Sequence, residues 1–280
     1  MKISKYCEKC LYDRQLKMTD NAEYLAEIKA LLDGRHENDS SPYIVYLFNK
    51  VRTKYFGEPE DMRAVKKQYN DLVLGMQDEL RRQIESAPDP LAEALMIARI
   101  GNYIDFAAMN HVDKDEFLAL FGDTKMRTDD ARTYESFVKQ CEEAKNFLLI
   151  CDNCGEIVLD KLLAEQLKKR FPQLTIKAMV RGGEALNDAT VEDALYCGLD
   201  KAAQVISNGE AITGTVYDML PDEAKKALDE ADVVLAKGQG NYESMAGTNR
   251  HVFYAFLCKC ELFTGRFGVP RLTGMFIEER

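Results

Sequence analysis

Apolar residues in the first half of the chain recur at helical spacing. Leu25, Ile28 and Leu32 share one face of a stretch that begins near Asn21 and stops at Gly34. Ser41-Pro42 supplies a cap and a first-turn proline ahead of a helix over Tyr43–Phe56, which Gly57 ends. Val65, Tyr69, Leu72, Met76 and Leu80 carry the same period from Asp61 to Ile84, until Ser86-Ala87-Pro88 breaks it. Pro90 opens a helix through Ile100, and Thr133–Ala144 is the last of the series. No strand-like alternation precedes Asn146.

The pattern then changes to short apolar runs separated by helical stretches. Phe147–Cys151 reads as a strand, Ile157–Arg170 as a helix, Leu174–Val180 as a strand, and Thr190–Tyr196 as a helix. Gln204–Ile206 is a short strand, Pro221–Glu230 a helix, and Val233–Ala236 a strand. The pattern predicts a helix over Asn249–Thr264, stopped by Gly265, and a final strand at Met275-Phe276-Ile277. Strands alternating with helices imply βαβ units, hence an α/β fold with a mostly parallel sheet and flanking helices, preceded by an all-helical segment. The expected division is a helical domain at 1–145 and an α/β domain at 146–280 that carries the site.

Composition narrows the class. The 280 residues hold 37 Lys+Arg against 47 Asp+Glu, a net charge of −10, which disfavours nonspecific nucleic-acid binding because that needs a basic face. No run approaches the ~18 apolar residues of a membrane helix. Met1 to Arg14 carries charges and two cysteines where a signal peptide places an apolar stretch, so a cytoplasmic location is expected. The eight cysteines then read as reduced thiols rather than a disulfide framework.

Ligands of parallel sheets sit at the carboxyl ends of the strands, so the residues just after each strand matter most. Asp152-Asn153 follows the first strand and offers hard oxygen ligands of the kind Mg²⁺ or Mn²⁺ takes; an Asx turn with a helix cap is the plainer reading. After the second strand, Thr190 and Asp193 have capping-box spacing, which leaves Asp188 as the second candidate carboxylate. Ser207-Asn208-Gly209 follows the third strand, where small residues let backbone N–H groups approach an anion. Lys237, beside Gly238 and Gly240, follows the fourth and is placed to neutralise a phosphate. Neither a Walker A loop nor a dinucleotide fingerprint is present. Together these strand ends supply what metal-assisted phosphoryl transfer needs: oxygen ligands for a cation and positive charge for the phosphate.

The ordered set Cys7-x-x-Cys10, Gly101-Asn102-Tyr103-Ile104-Asp105-Phe106, Asp152-Asn153-x-Gly155-Glu156, Asn187-Asp188-Ala189-Thr190, Ser207-Asn208-Gly209, Lys237-Gly238-x-Gly240-Asn241-Tyr242-Glu243 and Lys259-Cys260 resembles the damage-control phosphatase family. The likeness is to its prokaryotic branch with an N-terminal CxxC. It spans nearly the whole chain. It implies a Rossmann-like domain behind a helical one, and a divalent-metal-dependent phosphatase (Mn, Mg, Co or Ni) acting on a small phosphorylated metabolite. The resemblance places metal ligands at Asp152, Asn153 and Asp188, and the phosphate at Lys237. It lines the pocket with Asn241 and the Ser207, Asn208, Gly209 loop, and lets Asn102 and Asp105 close over the substrate. Asp152 or Asp188 would orient an attacking water, since no nucleophile signature is present and Asp152 is followed by Asn-Cys-Gly rather than a second aspartate. Cys151 and Cys154 beside the Asp-Asn pair depart from the expected pattern and raise the question of a softer metal.

Two rival classes remain. A carboxyl methyltransferase using S-adenosylmethionine would need a glycine-rich loop where Asp152-Asn153 stands. A non-catalytic zinc or redox module would use Cys7-x-x-Cys10 with Cys151-x-x-Cys154, but roughly 140 residues separate the pairs, against a usual spacer of about 12–20. Cys141, Cys197 and Cys258 read as core thiols, His251 as a helical residue, and Lys66-Lys67 and Lys168-Lys169-Arg170 as solvated helix faces.

Overall fold

The computed structural model describes residues 1–103, 121 and 126–280. Helices lead the chain: α1 (Lys5–Met18), α2 (Ala22–Gly34), α3 (Ser41–Phe56), α4 (Arg63–Ser86), α5 (Pro90–Ile100) and α6 (Thr128–Glu143). Local chemistry starts several of them. The Asn21 side chain accepts from Tyr24 N at 3.0 Å, and Asp89 accepts from Leu91 N and Ala92 N, each at 3.1 Å. Alternation follows: β1 (Asn146–Ile150), α7 (Glu156–Arg170), β2 (Thr175–Val180), α8 (Val191–Cys197), β3 (Gln204–Ser207), α9 (Asp222–Asp229), β4 (Val233–Lys237), α10 (Gln239–Met245), β5 (Val252–Leu257), α11 (Glu261–Phe267) and β6 (Gly274–Glu279).

One expectation fails here. The helix predicted over Asn249–Thr264 is a strand, Val252–Leu257, followed by the short helix Glu261–Phe267. All six residues of that strand are buried, so it shows no alternation to read, and a fully buried strand has the same apolar run as a buried helix. His251 accordingly precedes a strand, with Nε2 2.7 Å from Glu278 Oε1.

The six strands run in the order β3-β2-β1-β4-β5-β6. All neighbours pair in parallel except β5 and β6, which are antiparallel. This doubly wound order reverses between β1 and β4, and the crevice outside their carboxyl ends is where such sheets bind ligands. Period-2 alternation sends Phe147, Leu149, Val233, Leu235, Phe253 and Ala255 into one apolar cluster shared with α4–α8. Leu148, Ile150, Val234, Ala236 and Tyr254 enter another with α9–α11. Phe137 of α6 anchors the first, with edge-on contacts to Phe147, Phe253 and Phe276 at centroid distances of 5.9, 5.2 and 5.8 Å. A separate small cluster joins α2 to α3 through Tyr24, Ile28, Ile44 and Phe48. No helix among the described residues is long and apolar enough to cross a membrane.

Lys66 departs from the solvated helix face expected of it. It is 1% exposed and pairs with Asp193 at 2.6 Å and Glu184 at 2.9 Å. Asn70, one turn on, donates to Asp193 at 2.9 Å and accepts from Gly155 N at 2.6 Å, so a buried polar stripe of α4 fixes the starts of α7 and α8. Asp193 also closes the expected capping box with Thr190.

A second buried polar contact makes a test of the fold. Asp130 accepts from Arg99 Nη1 at 2.9 Å and from Arg127. Burial pushes its carboxyl up, but the Arg127 hydrogen bonds and the Arg99 charge outweigh this and hold it below the usual aspartate range. The native carboxylate therefore adds stability at neutral pH, and that stability is lost as the pH falls below the ordinary value of ~3.9. Asp130→Asn should cost about 3 kcal/mol in urea unfolding at pH 7, because Arg99 stays buried without its counter-charge. The loss should shrink in acid; an equal loss at both pH values would refute the assignment.

Candidate active site

The loops after β1 and β2 pair with each other, and this brings the two carboxylates together. Cys154 N donates to Asn187 O and Ala189 N to Asp152 O, both at 2.8 Å, with an antiparallel bridge between Asn153 and Asp188. Asp152, Asn153 and Asp188 lie in the floor of a cavity of about 180 Å³. Its other walls come from α1 (Tyr6, Cys7, Cys10, Leu11, Arg14), the start of α3 (Ser41, Pro42, Val45), Thr213, the start of α10 (Gln239, Gly240, Glu243) and the chain after β5 (Cys260, Leu262).

Each candidate oxygen ligand is held by its neighbours. Asp152 Oδ2 accepts from Asn102 Nδ2 and Asn153 Nδ2, both at 2.8 Å, and its Oδ1 from Arg181 Nη2 at 3.1 Å. Asp188 Oδ2 accepts from Arg181 Nε at 2.6 Å. Glu156 takes the Asn153 amide N–H at 2.9 Å, which fixes that amide's orientation, while Asn187 donates to Asn153 Oδ1 at 2.9 Å. Asn102 is itself oriented by Leu257 N, which donates to its Oδ1 at 3.1 Å.

The electrostatics of the floor favour a cation. Asp152, Glu156, Asp160 and Asp188 are buried carboxylates, met directly by Arg181 and Lys237 and, at longer range, by Lys259. Burial, then repulsion from Asp188 and Glu156, pushes the Asp152 carboxyl well above the usual range in spite of Arg181. Two carboxylates and an amide oxygen on one small, negatively unbalanced cavity floor fit a hard divalent cation. Cys151 and Cys154 do not compete: both are buried outside the cavity wall, and burial raises the Cys151 thiol well above its ordinary value. Asp152, Asn153 and Asp188 thus bring oxygen donors to the cavity, and the thiols that line it are those of Cys7, Cys10 and Cys260.

Gly238 permits this packing. It has φ +81°, and a Cβ there would fall 1.9 Å from Asp152 Oδ2. Gly238→Ala should displace the Asp152 carboxylate and cost about 2 kcal/mol or more of stability, with weaker Mg²⁺ or Mn²⁺ binding by calorimetry. Unchanged affinity would dissociate Asp152 from the cation.

Comparison with known proteins decides the family. The model of the damage-control phosphatase ARMT1-like domain matches residues 2–273. The chain belongs to this family. A protein named damage-control phosphatase from Archaeoglobus fulgidus is 31% identical over 281 residues, covering 96% of each chain. Damage-control phosphatase PH1575 from Pyrococcus horikoshii is 27% identical over 283 residues, covering 97% of this chain and 96% of its own. The crystal structure of the Pyrococcus horikoshii protein, described as a duf89 family protein, superposes over 100% of both chains with a TM-score of 0.80 and 26% identity. Family membership makes the chain a phosphatase, a hydrolase of phosphomonoesters.

Within this damage-control phosphatase fold, several expected contacts fall elsewhere. Lys237 does not reach the cavity. It is fully buried, and its ammonium donates to Glu156 at 2.7 Å, Asp160 at 2.8 Å and Ala98 O at 2.9 Å. Asn241 lies behind the floor, accepting from Arg181 Nη1 at 3.2 Å and donating to Lys237 O at 2.7 Å. The Ser207, Asn208, Gly209 loop is absent from the cavity walls; Asn208 instead accepts from Gly182 N and Glu210 N, and Ser207 from Gly209 N. Asp105 lies outside the described residues. The cysteine module is not assembled either: Cys7 and Cys10 line the cavity mouth with Cys260. No group of three or more His, Cys, Asp or Glu side chains is gathered to hold a metal among the described residues.

Sequence reasoning passed over Arg181, and it named Lys259 without a role. The signal for Arg181 was its place at the end of β2, where a charge between an apolar strand and two glycines needs a partner.

Proposed function

We propose that the protein is a divalent-metal-dependent phosphatase that hydrolyses phosphomonoesters of small metabolites, sugar phosphates or related damaged phosphometabolites, in the cytoplasm. The observation that carries this reading is the buried Asp152, Asn153, Asp188 set, with its excess negative charge, at the foot of a cavity of about 180 Å³. Those three residues would hold the cation, with Mg²⁺, Mn²⁺, Co²⁺ or Ni²⁺ as candidates. When bound, it supplies Lewis acidity to a phosphoryl oxygen and acidifies water.

The chain's own residues do the rest. Arg181 bridges the two carboxylates, and Glu156, braced by Lys237, turns the Asn153 amide. Asp188 or Asp152 orients the attacking water, and the leaving alcohol departs into the cavity mouth. A pocket of this size fits a small ester. S-adenosylmethionine chemistry lacks its glycine-rich loop, since Cys151-Asp152-Asn153-Cys154 follows β1.

The test is phosphate release from a panel of sugar phosphates and a chromogenic ester. Chelated protein should be silent, and one or more of the four ions should restore turnover. Silence with every ion, in protein that retains thiol-bound zinc, would replace this reading with the cysteine module.

A further inference from the structure

A phosphatase site needs positive potential for the phosphoryl group, and the two cations nearest the carboxylates are already engaged: Lys237 by Glu156 and Asp160, Arg181 by Asp152 and Asp188. The lining of the same cavity offers another source. Helix α3 runs for 16 residues, and its first turn, through Ser41, Pro42 and Val45, lines the cavity. The first N–H groups of a helix have no partner within it and carry about half a positive charge. Ser40, at the N-cap position, makes no capping hydrogen bond to them.

Two further facts mark this turn as built for a ligand. Ser40 and Ser41 are 5% and 7% exposed, and neither hydroxyl has a hydrogen-bond partner among the described residues. Buried hydroxyls are nearly always satisfied, so a neighbouring pair without partners calls for an explanation. The turn is also held at the strand ends. A Cβ on Gly214 would lie 2.9 Å from Pro42 Cβ, and one on Gly240 would lie 4.0 Å from Pro42 Cγ, so Pro42 sits between the loop after β3 and the start of α10.

We propose that the N-terminus of α3, with the Ser41 hydroxyl as its side-chain donor, receives the phosphoryl oxygens of the substrate in the cavity it shares with Asp152, Asn153 and Asp188. This deepens the phosphatase reading and rests on it. The ligand class is a phosphate monoester dianion or inorganic phosphate. The Ser41 O–H donates to one phosphoryl oxygen and the backbone N–H of Ser41 or Tyr43 serves another, Pro42 having none and Ile44 N being taken by Ser40 O. Ser41 is a binding residue here and transfers no proton.

The experiment uses the full chain loaded with Mg²⁺ or Mn²⁺, with inorganic phosphate as the probe. Its affinity is measured by calorimetry for wild type, Ser41→Ala and Ser41→Thr, alongside phosphate-free melting temperatures. Ser41→Ala should weaken phosphate binding about tenfold or more, the loss expected for one hydrogen bond to a charged group. Its phosphate-free melting temperature should not fall, because the hydroxyl has no protein partner to lose. Ser41→Thr, which keeps the hydroxyl, should recover most of the affinity. Where a substrate is available, Ser41→Ala should raise KM more than it lowers kcat.

Three results would overturn the assignment. These are unchanged phosphate affinity in Ser41→Ala, a lowered melting temperature with affinity intact (a structural hydroxyl), or no phosphate binding by the loaded wild type. Phosphate binding that depends on Ser41 without turnover of any ester would leave this site standing while the phosphatase reading fell. Turnover with Ser41→Ala indistinguishable from wild type would do the reverse.

Discussion

Asp188→Asn should remove metal-dependent phosphate release, lowering kcat/KM by roughly 10³-fold, the rate equivalent of the several kcal/mol a bound cation contributes. The substitution is nearly isosteric and leaves an oxygen to accept from Arg181 Nε, now 2.6 Å from Asp188 Oδ2. It also takes one negative charge out of a cluster that holds too many. The cation-free variant should therefore melt no lower than wild type, while the upward shift that Mg²⁺ or Mn²⁺ gives the wild type should vanish. Both readings come from one thermal series with and without the ion. A variant that still gains stability from the ion would take Asp188 off the list of ligands.

Lys237→Met acts on stability first. The ammonium is fully buried between Glu156 and Asp160, and its removal strands two carboxylates that no solvent reaches. Breaking such a cluster from one side should cost about 4 kcal/mol or more. The pH dependence has a definite sign. Burial already pushes the Asp160 carboxyl up to about 6, and the Lys237 charge is the main influence opposing it. Without that charge Asp160 binds its proton more tightly folded than unfolded, so the native state holds more protons and stability falls as the pH rises. Urea unfolding should find the variant more stable near pH 5 than near pH 8, within the window set by a carboxyl pushed above ~4. A variant more stable at the higher pH would mean that the two carboxylates have found another counter-charge. Activity should fall as well, because Glu156 orients Asn153 only while its other oxygen is held.

The parallel strands were legible because each is a short apolar run closed by turn residues, and strand ends told where to look. That sufficed to bring Asp152, Asn153 and Asp188 to one cavity. Lys237 shows the limit. Its position at the end of β4 was readable, but the side of the sheet it enters depends on the strand's pleat and on Glu156 and Asp160 of α7. Lys66 failed for a related reason: adjacent lysines look alike in sequence, yet Lys66, Asn70 and Val73 share the buried face of α4 and Lys67 does not. β5 hid behind complete burial, and α1 behind the opposite, since none of its residues is fully buried and its period is weak. Asn102 was found by resemblance alone, because a glycine-flanked asparagine after a helix carries no signal of the aspartate 50 residues on that it serves.

The wall that α1 contributes to the cavity has a consequence for the order in which the protein is made. Tyr6 of that wall hydrogen-bonds Glu261, 255 residues away along the chain. At ~5–20 residues per second, a ribosome needs about 13–50 s to produce the second partner after the first. Throughout that interval α1 can pack on α2 and α3 but not on the chain after β5. The Asp152 and Asp188 loops, by contrast, can pair as soon as the chain has passed them. The floor of the cavity can thus be laid before the walls from α10 and the chain after β5 close over it.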